Sequence, residues 1–216
     1  EVSVNLPKYA FAEITGEITN VMESEKLGGE LAMVGRFDNI NFVKPTILDA
    51  KLSKQVHFPA IDLIGHATMR GNKMSGDVDL TLETGQAVGS AEFNTANDAY
   101  KVSLDLADMP IHAVLPFSNF GDLTASVTAK GKGFDLMNKS TELTANLLVD
   151  HLGYDGMDYK DVKCDVSLSS GTFVANFDSN NPNLDFTLGC GGELAENHYV
   201  VALDCDVRDL ALYALQ

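Results

Sequence analysis

The chain has five histidines, three cysteines and a few glycine-rich stretches that could do chemistry, but their spacing argues against most of it. His57, His66, His112, His151 and His198 do not pair at metal-ligand spacing, and no H-E-x-x-H run occurs. His112 and His151 are expected at turns or on a solvated face. A G-x-S-x-G elbow, which would expose a nucleophilic serine on a strand-to-helix turn, is absent. Gly131-Lys132-Gly133 lacks both the upstream glycine and the following Ser or Thr that a phosphate loop needs. The stretch DSNNPNLD, Asp178 to Asp185, has the acid and amide content of a calcium loop. Pro182 stands where a ligand is needed, Asn183 replaces the glycine and Gly189 replaces the closing glutamate, so a plain hairpin turn is predicted. Gly189-Cys190-Gly191-Gly192 follows one strand pattern and precedes another, which predicts a bulge or turn.

Carboxylates are abundant, but they alternate outward and no pair is singled out. The expectation is therefore a protein that is not an enzyme, with no cofactor and no metal. Cys164, Cys190 and Cys205 each fall at the apolar positions of their strands. They are predicted to be reduced and buried, since a free thiol packs as a small hydrophobe. A cross-strand disulfide is the rival, although an odd and sparse count makes no disulfide framework.

The elements that carry these residues follow from alternation. Ile61, Leu63, Ala67 and Met69 share one face of a strand, and Met74, Val78, Leu80 and Leu82 share another. Ala87, Ala91 and Phe93 come next, then Tyr100, Val102, Leu104 and Leu106. Leu123 to Ala129, Leu143 to Val149, Val162 to Leu168, Phe173 to Phe177, Leu184 to Cys190 and Tyr199 to Val207 repeat the pattern. Successive strand side chains point to opposite faces, so period-two patterning predicts half-buried antiparallel strands. Gly71-Asn72, Gly85, 94–98, 169–171 and 180–182 supply turn chemistry between them. Helical periodicity is scarce. One turn is predicted within Met109 to Phe120, limited by Pro116, and another within Asp209 to Leu215. Asn20 to Gly29 and Phe42 to Lys54 alternate irregularly.

A net charge of -16, from 31 acidic and 15 basic residues, excludes a nucleic-acid partner and docking on an anionic leaflet. It suits a soluble, self-repelling surface. No apolar run approaches the ~20 residues of a membrane helix. The opening EVSVNLPKYAF lacks the basic and apolar regions of a signal peptide, so targeting or anchoring segments are expected outside this stretch.

Two segments about 101 residues apart read alike: VSLDLADMPIHAVL from Val102 and LDCDVRDLALYAL from Leu203. Asp105, Asp108 and Ala113 fall on Asp206, Asp209 and Ala214, and Glu92-Phe93 falls on Glu193-Leu194. The period is too long for a solenoid coil and predicts two multistrand units, residues 1–115 and 116–216, cut from a longer repetitive protein.

The second unit resembles the β-rich repeats of the TamB and AsmA-like family of bridging lipid-transport proteins, in particular the long forms of Bacteroidetes. The resemblance is carried by TAKGKGFD from Thr128, the Leu143 to Val149 strand, Tyr154, and Tyr159-Lys160-Asp161-Val162. SLSSGTFVANFDSNNPNLDFTLGCGGEL from Ser167 and the closing VALDCDVRDLALYAL complete it. GRFDNINFVKPTILDA and FPAIDLIG match more loosely in the first unit, so the likeness spans Val34 to Leu215. It implies an all-β fold of long antiparallel sheet curled into an open U, a β-taco half-barrel with an apolar concave face. It also implies a periplasmic segment of a protein anchored in the inner membrane, which carries phospholipid between the membranes and supports outer-membrane assembly. Membrane contact, and contact with an Omp85-type outer-membrane barrel, would come through other parts of the parent chain. The expected partners in this stretch are phospholipid acyl chains. The expected lining is Val102, Leu104 and Leu106, then Leu143 and Leu147, then Val162, Cys164, Val166 and Leu168. Leu184, Phe186, Leu188, Val201, Leu203 and Cys205 continue it. A structural or adhesive β-domain with a closed core is the alternative, because any one-sided sheet must have its apolar face covered by something.

Overall fold

The computed structural model describes residues 1–182, 184–195 and 198–210. Among them the chain is all-β, a single antiparallel sheet of 14 strands that does not close on itself. The strands of the first half are β1 (Val2–Leu6), β2 (Ala10–Thr19), β3 (Gly28–Phe37), β4 (Ile61–Arg70), β5 (Lys73–Leu82), β6 (Gly85–Asn94) and β7 (Ala99–Pro110). Those of the second are β8 (Phe120–Lys132), β9 (Glu142–Tyr154), β10 (Met157–Tyr159), β11 (Val162–Ser169), β12 (Thr172–Asn181), β13 (Leu184–Ala195) and β14 (His198–Leu210). Each strand pairs with the next in the chain, except that the short β10 pairs only with β9, and β9 pairs onward with β11. The β7–β8 ladder joins the strands that precede and follow residue 115. Among the described residues β1 and β14 are the two free edges, with β1 exposed throughout and β14 exposed from Val200 to Arg208.

A meander of this kind needs only short connections, because antiparallel neighbours are joined by tight turns. The turns alternate between two rims. Gly71-Asn72, 95–98, 133–141 and 170–171 lie on what we term the first rim. The second rim carries 38–60, with its single helical turns at Lys44–Ile47 and Leu52–Gln55, and 111–119, with one turn at Ile111–Val114. The turn expected before Pro116 is therefore present, while Met109 and Pro110 belong to β7. Of the turn expected in Asp209 to Leu215, residues 209–210 close β14 and 211–215 lie outside the described residues.

Three features differ from the sequence expectation. β1, β2 and β3 were not among the strands picked out by alternation, because Gly16, Gly29 and Gly35 interrupt the apolar positions of β2 and β3. Gly189 to Gly192 forms neither turn nor bulge; β13 runs straight through it. Glycine is needed inside this strand because a Cβ at Gly192 would fall 1.8 Å from the Val200 carbonyl oxygen. The cysteines are free, as expected, but not buried: Cys164 and Cys190 are half-exposed and Cys205 is exposed. They stay open because, among the described residues, no second layer covers the apolar face.

The exposure of the whole chain agrees. It presents 13723 Å² to solvent, whereas a compact protein of 23.2 kDa presents roughly 9,700 Å². Among the described residues the buried apolar side chains are Met69, Leu82, Met109, Ala125 and Leu168, with Pro59 and Pro110 at the second rim. This is too few for the core of a sandwich or a filled barrel.

The two similar segments hold β-bulges at matching places. The β7–β8 register slips between Leu106 and Met109, and the β13–β14 register slips so that Arg208 has no partner between Val207 and Asp209. Different side chains hold the two bulges. Asp108, in the left-handed region at φ 48, donates its backbone N–H to Thr124 Oγ1 at 3.1 Å. Arg208 instead places Nη2 2.5 Å from Asp185 Oδ1, and that contact raises its pKa further above the usual range.

Candidate apolar binding face

The site is built by register. Residues directly opposite each other in antiparallel strands project from the same face, so a row of partners can be followed across the sheet. One such row starts at Val2 and passes through Ile14, Met33, Gly65, Val78 and Gly89 to Leu104. It continues through Val127, Leu147, Cys164, Phe177 and Leu188 to Cys205 at the other edge. No residue in it is polar beyond a thiol. With strands about 4.8 Å apart, this row is roughly 58 Å long.

The rows on either side have the same character. One contains Val4, Leu80, Leu106, Val162 and Phe186, with Ser179 as a polar member. Ser179 is fully buried, and its hydroxyl donates to the Leu184 carbonyl at 2.8 Å, so it presents no free polar atom. The other contains Leu31, Val102, Ala129, Ala145, Val166, Cys190 and Leu203. A fourth, nearest the first rim, contains Met69, Met74, Phe93, Tyr100, Leu143, Leu168, Phe173 and Val201. Rows lie about 6.8 Å apart, so four of them span about 20 Å. The resulting apolar face, on the order of 1,200 Å², exceeds the ~300–600 Å² of the largest patch on a typical monomer.

Every residue expected as lining lies on this face by register. Val102, Leu104 and Leu106 come from β7, Leu143 and Leu147 from β9, and Val162, Cys164, Val166 and Leu168 from β11. Leu184, Phe186 and Leu188 come from β13, and Val201, Leu203 and Cys205 from β14. Their exposure is unequal: Leu168 is buried at 4%, and Leu203 at the free edge is 70% exposed. The alternation did not single out the contribution of β1 to β3, where Ile14, Leu31 and Met33 join Val78 around a depression of about 220 Å³. Ile14, Ile18, Leu31 and Met33 carried the signal, which the intervening glycines diluted.

Aromatic side chains gather at both rims. On the first, Phe134 from the 133–141 turn stacks on Tyr100 with ring centroids 5.1 Å apart, and meets Phe93 at 5.8 Å. Tyr100 in turn lies over Gly131, where a Cβ would meet its hydroxyl oxygen at 2.6 Å. On the second rim, Phe120 and Tyr154 are 5.0 Å apart and, with Phe117, Leu152, Tyr159 and Leu184, line a cavity of about 590 Å³.

The opposite face is polar. His66 Nδ1 faces Asp77 at 3.0 Å and His151 Nδ1 faces Asp158 at 2.5 Å, while His112, in the turn after β7, lies 3.7 Å from Asp122. Lys160 also reaches Asp158 at 2.8 Å, and this contact, ahead of His151, holds the Asp158 carboxyl below its usual range. Arg36 bonds Asp38 at 2.9 Å, which raises its own pKa. These are solvated pairs. Among the described residues no group of His, Cys, Asp and Glu is gathered as a metal site.

No family model matches this chain, and no curated protein or solved structure matches it either.

Proposed function

We propose that this chain is a stretch of a bridge-like lipid-transport protein, in which the apolar face holds the acyl chains of phospholipids in transit. The carrying observation is the unbroken apolar row from Val2 to Cys205 on a sheet that, among the described residues, has no covering layer. Its natural occupant is a mobile apolar molecule, held by nonspecific burial at roughly 25 cal/mol per Å². Nothing along the row would stop a chain from sliding, because it offers no polar group to fix one position. A sheet of this length twists and coils, and we read it as the U-shaped half-barrel of the TamB and AsmA-like family, built from two repeats with matching bulges. On this reading the protein is periplasmic, is anchored in the inner membrane through other parts of the parent chain, and catalyses no reaction. A structural or adhesive closed-core domain is the weaker reading, because the sheet is open and its buried apolar side chains are few.

The test is to purify the protein without detergent, extract it with organic solvent and analyse the extract by mass spectrometry. Stripped protein is then offered a fluorescent fatty acid. Co-purifying phospholipid and saturable uptake are expected. A lipid-free protein that takes up no probe would overturn the reading.

A further inference from the structure

On the polar face of β4, β5, β7 and β8 the charges are segregated along the strands. β4 carries Arg70 at its first-rim end and Asp62 at the other, and β5 carries Lys73 and then Asp77 and Asp79. β7 carries Lys101 and then Asp105, and β8 carries Lys130 near the first rim and Asp122 at the far end. Register makes two of these cations face each other directly, Arg70 opposite Lys73, and makes Lys101 face Lys130. Like charges directly opposite destabilise a ladder, and a chain of net charge -16 has ample carboxylates that could have relieved them. Among the described residues, ion pairs run through Lys26, Arg36, Lys160, Arg208 and three histidines, and none engages these four cations. All four are exposed.

The ground between the two pairs is concave. A cavity of about 590 Å³ is lined by Thr68, Arg70, Lys73, Ser75, Glu92 and Lys101, among others. A second, of about 570 Å³, adjoins it through Ala99 and Tyr100 and is lined by Lys130 and Lys132. The Thr68 and Ser75 hydroxyls, 2.7 Å apart, add hydrogen-bonding capacity beside Arg70 and Lys73. Glu92 stands directly opposite Lys101 and Glu142 directly opposite Lys132, so the patch of Arg70, Lys73, Lys101, Lys130 and Lys132 keeps an excess of three positive charges. β5 and β7 are two strand spacings apart, and Lys101 lies two residues along β7 from Ala99, which is in register with Lys73, so the nearest members of the two pairs are roughly 12 Å apart.

We propose that this concavity on the polar face, beside the first rim, is a binding site for a phosphate-type anion, with Arg70 and Lys73 forming one arm and Lys101 and Lys130 the other. The spacing suits a ligand that bears two such groups. Guanidinium and ammonium donors are the groups that recognise phosphate oxygens, and the volume is that of a small-molecule site. The site is independent of what the apolar face carries.

The anion could come from a free phosphate compound or from a lipid headgroup, and two probes separate these sources. Inorganic tripolyphosphate is titrated into isotope-labelled protein at low ionic strength, with amide chemical shifts as the readout. Shifts centred on Arg70, Lys73, Lys101 and Lys130 are expected, with an affinity that falls as salt rises. Arg70→Gln with Lys73→Gln should weaken binding about tenfold or more, the order expected from removing two charges near a surface, and Glu92→Gln should strengthen it. All these substitutions are at exposed positions, and an unchanged thermal melt confirms the fold. Short-chain phosphatidylglycerol below its micelle concentration, compared with phosphatidylcholine, then shows whether an anionic headgroup occupies the same residues. If only tripolyphosphate does, the ligand is a free phosphate compound. Shifts scattered equally over Lys8, Lys51 and Lys54, or wild-type affinity in the double variant, would overturn the site.

Discussion

Leu188 stands directly opposite Cys205 across the β13–β14 ladder, and both side chains project from the apolar face. Leu188 also faces Phe177 on its other side, while among the described residues no further strand lies beside Cys205, so one row passes from a half-exposed interior to an open edge.

A charge at Leu188 distinguishes an uncovered face from a covered one. Leu188→Arg should melt close to the wild type, losing about 1–2 kcal/mol, because the guanidinium can turn to water over a face with no second layer. Uptake of a fluorescent fatty acid by the same protein should fall, since an apolar chain passing there would have to strip a charge of its water. Unfolding of the variant would show that the face is covered in solution. Normal uptake would remove Leu188 from the path.

The three thiols should alkylate at different rates in the native protein. Cys205 lies exposed on the edge strand, and Cys164 lies half-exposed between Leu147 and Phe177. Burial, and secondarily the carboxylate of Asp165, raises the Cys164 thiol pKa, which lowers its reactive thiolate fraction. Timed maleimide labelling with peptide mass spectrometry should find Cys205 modified first and Cys164 well behind. Equal rates would mean that the edge is paired or covered in solution.

Gly131 and Gly156 make a matched pair for stability. A Cβ at Gly131 would sit 2.3 Å from the Glu142 carbonyl oxygen, so Gly131→Ala must push β8 from β9 and displace Tyr100. A loss of about 1–3 kcal/mol is expected, the usual cost of overpacking. Gly156 has φ 76 but nothing within 4 Å of a Cβ, so Gly156→Ala should cost only the left-handed backbone penalty of about 1 kcal/mol. Chemical denaturation of both variants ranks them, and the reverse order would contradict the packing of Tyr100 on Gly131.

Acid should loosen the β9–β10 corner. The Asp158 carboxyl, held below its usual pKa chiefly by Lys160 and also by His151, is depressed in the folded state. Its contribution is therefore complete above the unfolded carboxylate pKa and is lost as pH falls through the lower, folded value. Melting temperatures of the wild type and Asp158→Asn should differ near neutrality and converge toward the acid end of that window. A difference that persists at the lowest pH would assign the effect to something other than the charge.

Much of the apolar face could be read from alternation, since side-chain direction in a strand is a local property of period two. Leu143, Ala145, Leu147 and Val149 fall on one face whatever strand lies beside them. The single turn at Ile111–Val114 is equally local, since Pro116 limits it from nearby. Asn20 to Gly29 and Phe42 to Lys54, where alternation is irregular, were the least legible stretches, and Gly28 and Gly29 belong to β3.

What lies beyond the strand itself was decided by the tertiary structure. Alternation does not say which strand pairs with which, and only the pairing order joins the separate apolar faces into one row from Val2 to Cys205. It does not say whether a second layer covers that row, so cysteines of apolar parity were expected to be buried and stand half-exposed or exposed instead. Gly189 to Gly192 looks like a turn in one dimension, yet the strand runs on through it, and Gly192 makes room for the close approach of the Val200 carbonyl on the neighbouring strand. Arg70, Lys73, Lys101 and Lys130 are scattered over 61 positions of the chain and come together on one rim only through register. Local sequence sets the direction of each side chain. Long-range hydrogen-bonded pairing, which no short window of residues contains, sets what stands next to it.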